Sequence, residues 1–204
     1  MFHPLQTWSL GPLTVSIELL FLMLSALVAV TVVSFYLNKS GVEDHEAVVD
    51  KITLALIIWI VIFKLWPFIL QPGLVTDLRN LIYFSGGPWA VPTASTVAFA
   101  LIVYFYKKLK WTFIVWESLL TAVIVSIIFY HVFVQQFGAM TPLPFGFQLD
   151  GGTVHPVNFY YVWFYSLTLL GAMFFFKGTI WYARSVYLII AMGAIYFLIA
   201  PFQV

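Results

Sequence analysis

Six apolar runs of about 20 residues each, separated by polar connections, constrain this chain more than any other feature. They occupy residues 13–37, 52–70, 88–106, 111–134, 157–176 and 180–200. A bilayer core needs about 20 apolar residues per helix. No water is available there for backbone N–H and C=O groups, so each run is predicted to be a helix that bonds internally. Composition points the same way. The chain is 63% hydrophobic and 8% charged, against roughly 25% charged in a soluble domain, which leaves too little polar surface to coat a globule in water. The expected fold class is an all-α polytopic membrane protein of about six transmembrane helices, built as a single integral membrane domain over residues 1–204. The first twelve residues contain no Lys or Arg, whereas a signal peptide has a basic start and a shorter apolar stretch; the first run is therefore expected to be a true span.

Basic residues near the span ends set the orientation. Lys39, Lys51, Lys107, Lys108, Lys110, Lys177 and Arg184 fall on one side, with Arg79 on the other. The positive-inside rule places the larger group in the cytoplasm, with both termini and the loop 135–156 outside. Trp8, Trp66, Trp89, Trp111 and Trp181 lie near span ends, where an interfacial aromatic belt belongs. A net charge of +1 suggests no nucleic-acid partner. With no cysteine, disulfides, thiol redox chemistry, iron–sulfur clusters and Cys-based zinc sites are excluded, and no metal or cofactor is expected. The four histidines, at 3, 45, 131 and 155, offer no cross-helix pair in mid-membrane for a haem.

Ionisable groups inside a bilayer cost about 2.5–3.5 kcal/mol on insertion scales and need a partner or a role. Glu18 and Lys64 each lie about six residues from the outer end of their spans, roughly 9 Å deep, and are predicted to pair. On the fourth span Glu117, Thr121, His131 and Gln135 share an arc of about 80°, a polar stripe expected to face other helices or a wet cavity. Glu117 and His131 stand about 21 Å apart along the helix, so they belong to separate places: Glu117 near the cytoplasmic end, balancing Lys110, and His131 with Gln135 near the outer end. Pro92, in "GGPWAVP", is read as a break in the third span, pointing to an outer-side cavity. The outer half thus gathers Glu18, Lys64, Arg79, His131, Gln135, Asp150, His155 and Tyr160.

"GPLTV" at the first span, "SGG" before the third, "VHP" ahead of Tyr160 and "KG" ahead of the last form an ordered series that resembles prolipoprotein diacylglyceryl transferase over nearly the whole chain. The resemblance implies an enzyme of the bacterial cytoplasmic (inner) membrane. Such an enzyme moves diacylglyceryl from phosphatidylglycerol to the cysteine thiol of an exported prolipoprotein, releasing glycerol phosphate. The family's late-helix start resembles His155-Pro156 with Tyr160 or Tyr161. Its second-span arginine falls on Lys64, its histidine after the paired glycines on Val91, and the tyrosine near its start on Glu18. Its long polar signature falls on residues 128–137, where Phe129, Val132 and Phe137 stand in place of an arginine, an asparagine and a glutamate. No arginine occupies the outer end of the last span. One lost charged donor costs about 2.7–4 kcal/mol of transition-state stabilisation, so the family reaction is not expected of this chain.

Three functions follow as expectations. The first is a non-catalytic binding protein of the outer leaflet that takes a phosphatidylglycerol-like phospholipid, an exported lipoprotein or a partner membrane subunit. The second is an active diacylglyceryl transferase with His155 or His131 as base, since imidazole suits a base near neutral pH, and with Lys64, Arg79, Gln135 and Tyr160 around the lipid head group. The third is a small transporter or channel subunit, which would place polar residues through the full membrane depth.

Overall fold

The computed structural model describes residues 1–3, 6–10, 13–76, 86–141, 146–149, 151–176 and 182–203. Six helices in it are long and apolar enough to cross a membrane, and the protein is a multi-pass, all-α membrane protein. They are α1 (Ile17–Lys39), α2 (His45–Leu70), α3 (Ala90–Lys108), α4 (Ile114–Phe133), α5 (Val157–Phe175) and α6 (Ala183–Ile199). Large apolar side chains such as Leu27, Phe35, Trp163, Phe174 and Phe197 face outward, as a lipid solvent allows and water does not.

The described chain departs from the expected runs and connections in several places: α2 already begins at His45, within the polar connection that follows the first run. Residues 13–16 are not helical: β2 (Leu13–Ser16) pairs antiparallel with β1 (Thr7–Leu10), so α1 begins at Ile17. The β-branched residues of "LTVS" suit a strand as well as a helix, and pairing with Thr7–Leu10 decides between them. The loop 135–156 is also structured. Strands β3 (Phe137–Met140), β4 (Phe147–Leu149) and β5 (Gly152–Pro156) form an antiparallel sheet with β5 in the centre. The start of the sixth run, 180, lies outside the described residues.

The chain expected as one domain divides by its contacts into two compact units, Met1–Gly41 with Phe113–Val204, and Val42–Thr112. In the first unit α1 packs on α4, α4 on α5, and α6 on both α5 and α4. Ile124, Val157, Tyr161, Tyr165, Leu188 and Ile199 lie in its core. Gly171 lets α5 and α6 approach closely, because the Tyr187 hydroxyl fills the space a Cβ would take, the small-residue device of membrane helix pairs. Gly171→Ala is expected to cost about 1–3 kcal/mol, measured by unfolding in mixed micelles. Tyr187→Phe should restore most of that loss; an alanine variant as stable as the parent would rule out the tight contact.

In the second unit α2 and α3 form a hairpin whose prolines have protein partners. Pro67 lies within α2 and has no N–H to give to the carbonyl four residues back. That carbonyl, of Phe63, accepts the Gly86 N–H at 2.8 Å. Gly86 sits at φ +74° with the Phe63 ring where its Cβ would be, so only glycine fits. Trp66 Nε1 donates to the Pro88 carbonyl at 2.6 Å. Pro92 is the third residue of α3, among the first four N–H groups that have no intrahelical acceptor. It therefore does not break the helix, and the expected cavity does not follow from it.

Candidate functional site

The sheet end of the first unit is where strand passes into helix. His155 is the fourth residue of β5, and Pro156 closes the strand before α5 starts at Val157. His155 thus lies on a strand two residues ahead of the helix, not at the helix start expected from sequence. Its Nδ1 is 2.9 Å from the Tyr160 hydroxyl. Both rings lie against Phe202, at centroid distances of 4.8 and 5.6 Å.

The first turn of α5 sends its polar residues in different directions. Tyr160 goes to His155. Asn158, fully buried, turns toward α4, and its Nδ2 donates to the His131 carbonyl at 3.2 Å and to Met1 Sδ at 3.3 Å. Tyr161 stacks on the His131 ring at 4.5 Å, and its hydroxyl accepts from Gln203 Nε2. His131 is itself 9% exposed. His131 Nδ1 and Asn158 Oδ1 are buried and have no hydrogen-bond partner among the described residues.

Gln135 and Glu18, two more of the expected site residues, have separate partners in the first unit. Gln135 lies beyond α4, which ends at Phe133, so it is not part of a helical stripe; its backbone N–H donates to the Phe2 carbonyl at 3.0 Å. Glu18 accepts from the Tyr130 hydroxyl at 3.3 Å. Lys64, its expected partner, belongs to the second unit. Arg79 and Asp150 lie outside the described residues. Among the described residues no three of His, Asp and Glu come together as metal ligands.

At the opposite end of the same unit lies a cluster that sequence reasoning did not assemble. Glu117, in the first turn of α4, pairs with Arg184 Nη1 at 2.9 Å. The Tyr36 hydroxyl donates to Glu117 and accepts from Arg184 at 2.9 Å. Three helices, α1, α4 and α6, are joined here. The partners found for Glu117 are thus Arg184 and Tyr36, where sequence suggested Lys110. Arg184 is the second residue of α6, where the positive end of the helix dipole disfavours a cation, and the Glu117 carboxylate offsets that. A signal did exist in the sequence: Tyr36, Glu117 and Arg184 all lie toward the same-side ends of their runs. Thr121, next along the stripe, is satisfied locally by the Glu117 carbonyl at 2.8 Å.

No protein-family model matches the chain, and neither a curated protein nor a solved structure is significantly similar to it.

Proposed function

We propose that this chain is a binding protein of the outer leaflet of a bacterial inner membrane, with the frame of prolipoprotein diacylglyceryl transferase and without its reaction. The observation that carries this reading is the engagement of both candidate bases. His155 is tied to Tyr160 and lies against Phe202, while His131 is buried under Tyr161. Each has a packing role, and the two face different partners around the start of α5. The positions of the family's histidine and second-span arginine hold Val91 and Lys64, which agrees. The ligand is a phosphatidylglycerol-like phospholipid, with Lys64 as a cation for its phosphate. An exported lipoprotein or a partner membrane subunit is the macromolecule such a protein would serve.

The His155–Tyr160 bond favours one second reading, because a base held by a neighbouring group is the arrangement an active transferase uses. One experiment separates the two. The chain is expressed in cells depleted of their own diacylglyceryl transferase, and a reporter prolipoprotein is weighed. The expected result is no gain of lipid mass, with phosphatidylglycerol retained by the purified protein and reduced about tenfold in Lys64→Met. Lipid gain that disappears in His155→Ala would replace the binding reading with the transferase.

A further inference from the structure

The turn between α3 and α4 holds Lys110 in a conformation that suits glycine. α3 ends at Lys108. The Leu109 N–H donates to the Phe105 carbonyl at 2.8 Å, and the Trp111 N–H reaches back to the Tyr106 carbonyl at 3.1 Å. The Trp111 ring lies against Phe105, with 6.5 Å between centroids. These are the closing bond and the apolar contact of a helix that stops on a left-handed residue. That residue is usually glycine, because a Cβ crowds the following carbonyl there; here it is Lys110, at φ +51°. The end of α1 shows the usual choice: Gly41, at the same distance beyond the last helical residue, sits at φ +72°.

Further cations stand at this end of the second unit. Lys107 and Lys108 close α3 and, like Leu109 and Lys110, are exposed. Lys108 Nζ donates to the Tyr104 hydroxyl at 3.0 Å. Lys51, near the start of α2, has its Nζ over the Phe105 ring at 5.7 Å, so Phe105 joins it to the turn. The carboxylates of this end, Glu43, Asp44, Glu46 and Asp50, lie at or near the start of α2, where the helix dipole suits anions. Among the described residues none of them forms an ion pair with these lysines. The dipole of α3 is already served by Lys107 and Lys108, and orientation in a membrane needs positive charge but no particular backbone conformation. Neither accounts for a lysine in the strained position, and strain retained in a folded chain points to function.

We propose that Lys107, Lys108 and Lys110, with Lys51 beside them, bind the phosphate of an anionic phospholipid in the leaflet at which α3 ends. The occupant follows from the place. α3 and α4 are both long and apolar enough to cross a membrane, and only Leu109–Phe113 separates them. The lysines therefore stand at head-group level, where their stems lie along apolar surface and their ammonium groups reach phosphates. Leu109 and Tyr104 are exposed beside them and suit the apolar part of the same lipid, which a free phosphate lacks. So short a turn falls well below the roughly 20–30 residues that a stable protein interface uses on each side. Lys51 and Lys64 are 13 positions apart on α2, about 20 Å along its axis. The site is thus separate from the one at Lys64, and the inference stands without the outer-leaflet reading.

The chain has no cysteine of its own, so Thr112→Cys gives the full chain a single bimane label at the turn. The labelled protein is placed in phosphatidylcholine nanodiscs with a small fraction of spin-labelled phosphatidylglycerol or spin-labelled phosphatidylcholine, and quenching of the bimane gives the relative association constant. Phosphatidylglycerol should be preferred at least about tenfold. Lys110→Gly should lower that preference about fivefold, while the protein unfolds at the parent temperature or a few degrees above it, because glycine relieves the strain. A lysine with a structural role only would give the same stability change and leave the preference intact. Lys107→Gln/Lys108→Gln/Lys110→Gly should abolish the preference, and Lys64→Met should not alter it. Equal quenching by the two lipids in the parent, an unchanged preference in Lys110→Gly, or the same loss in Lys64→Met overturns the proposal.

Discussion

Glu117→Gln is expected to destabilise the protein by about 3 kcal/mol or more, measured as the free energy of unfolding in mixed micelles. The carboxylate side chain is 10% exposed and its partner Arg184 25% exposed, so removing the negative charge leaves a guanidinium largely enclosed by protein and lipid. Breaking a buried pair on one side costs about 3–5 kcal/mol, and the partial exposure of Arg184 favours the lower end. Arg184→Met should do comparable damage by stranding Glu117 and taking a donor from Tyr36. Replacing the whole cluster is a different matter. Tyr36→Phe/Glu117→Leu/Arg184→Met removes every polar atom at once, and such replacements are often neutral or stabilising. The triple variant should therefore stay within about 1 kcal/mol of the parent. Single variants as stable as the parent would mean that the cluster is solvated and holds nothing together.

Gly138→Ala should be among the most damaging single-methyl additions in the described chain. A Cβ there would collide with the Phe202 backbone carbonyl, the Val157 side chain and the His155 Cβ. The carbonyl belongs to the short helical turn Ala200–Phe202 and has no rotamer with which to move aside, so relief requires that this turn leave the sheet. Overpacking typically costs about 1–3 kcal/mol, and a backbone obstacle puts this case near the top. Undocking should also release Gln203 from Tyr161 and uncover the His155 ring. A Gln203→Cys reporter should then react with a maleimide at least about tenfold faster in the Gly138→Ala background. Unchanged stability together with unchanged labelling would show that β3 yields instead of the turn. The contrast with Gly171 is instructive: there the obstacle is a tyrosine hydroxyl, which a second substitution can delete.

Sheet residues and prolines show where reading a sequence for apolar runs stops. The loop 135–156 contains Thr, Val, Phe and glycines in no long alternating pattern, so its three strands were not legible; β5 exists because β3 and β4 flank it. Pro67 and Gly86 are 19 positions apart in sequence, yet the carbonyl freed by one is bonded by the other. Nothing local announces that exchange. His155 drew attention through the tripeptide "VHP", but whether it is a free base or a packed ring depends on Phe202, 47 positions later.

By itself the sequence determined the solvent and the number of crossings. A chain so apolar cannot be dissolved in water, and a bilayer imposes both helix length and internal hydrogen bonding on every span, so the spans and most of their limits follow from composition along the chain. Tertiary structure alone decided which polar side chains meet. Helix ends at equal depth are alike in sequence, and the choice of Arg184 and Tyr36 for Glu117, or of Asn158 for the end of α4, depends on which helices pack together. That choice is made by shape, through residues such as Gly171 and Gly138, where the absence of a side chain sets how near two elements can come.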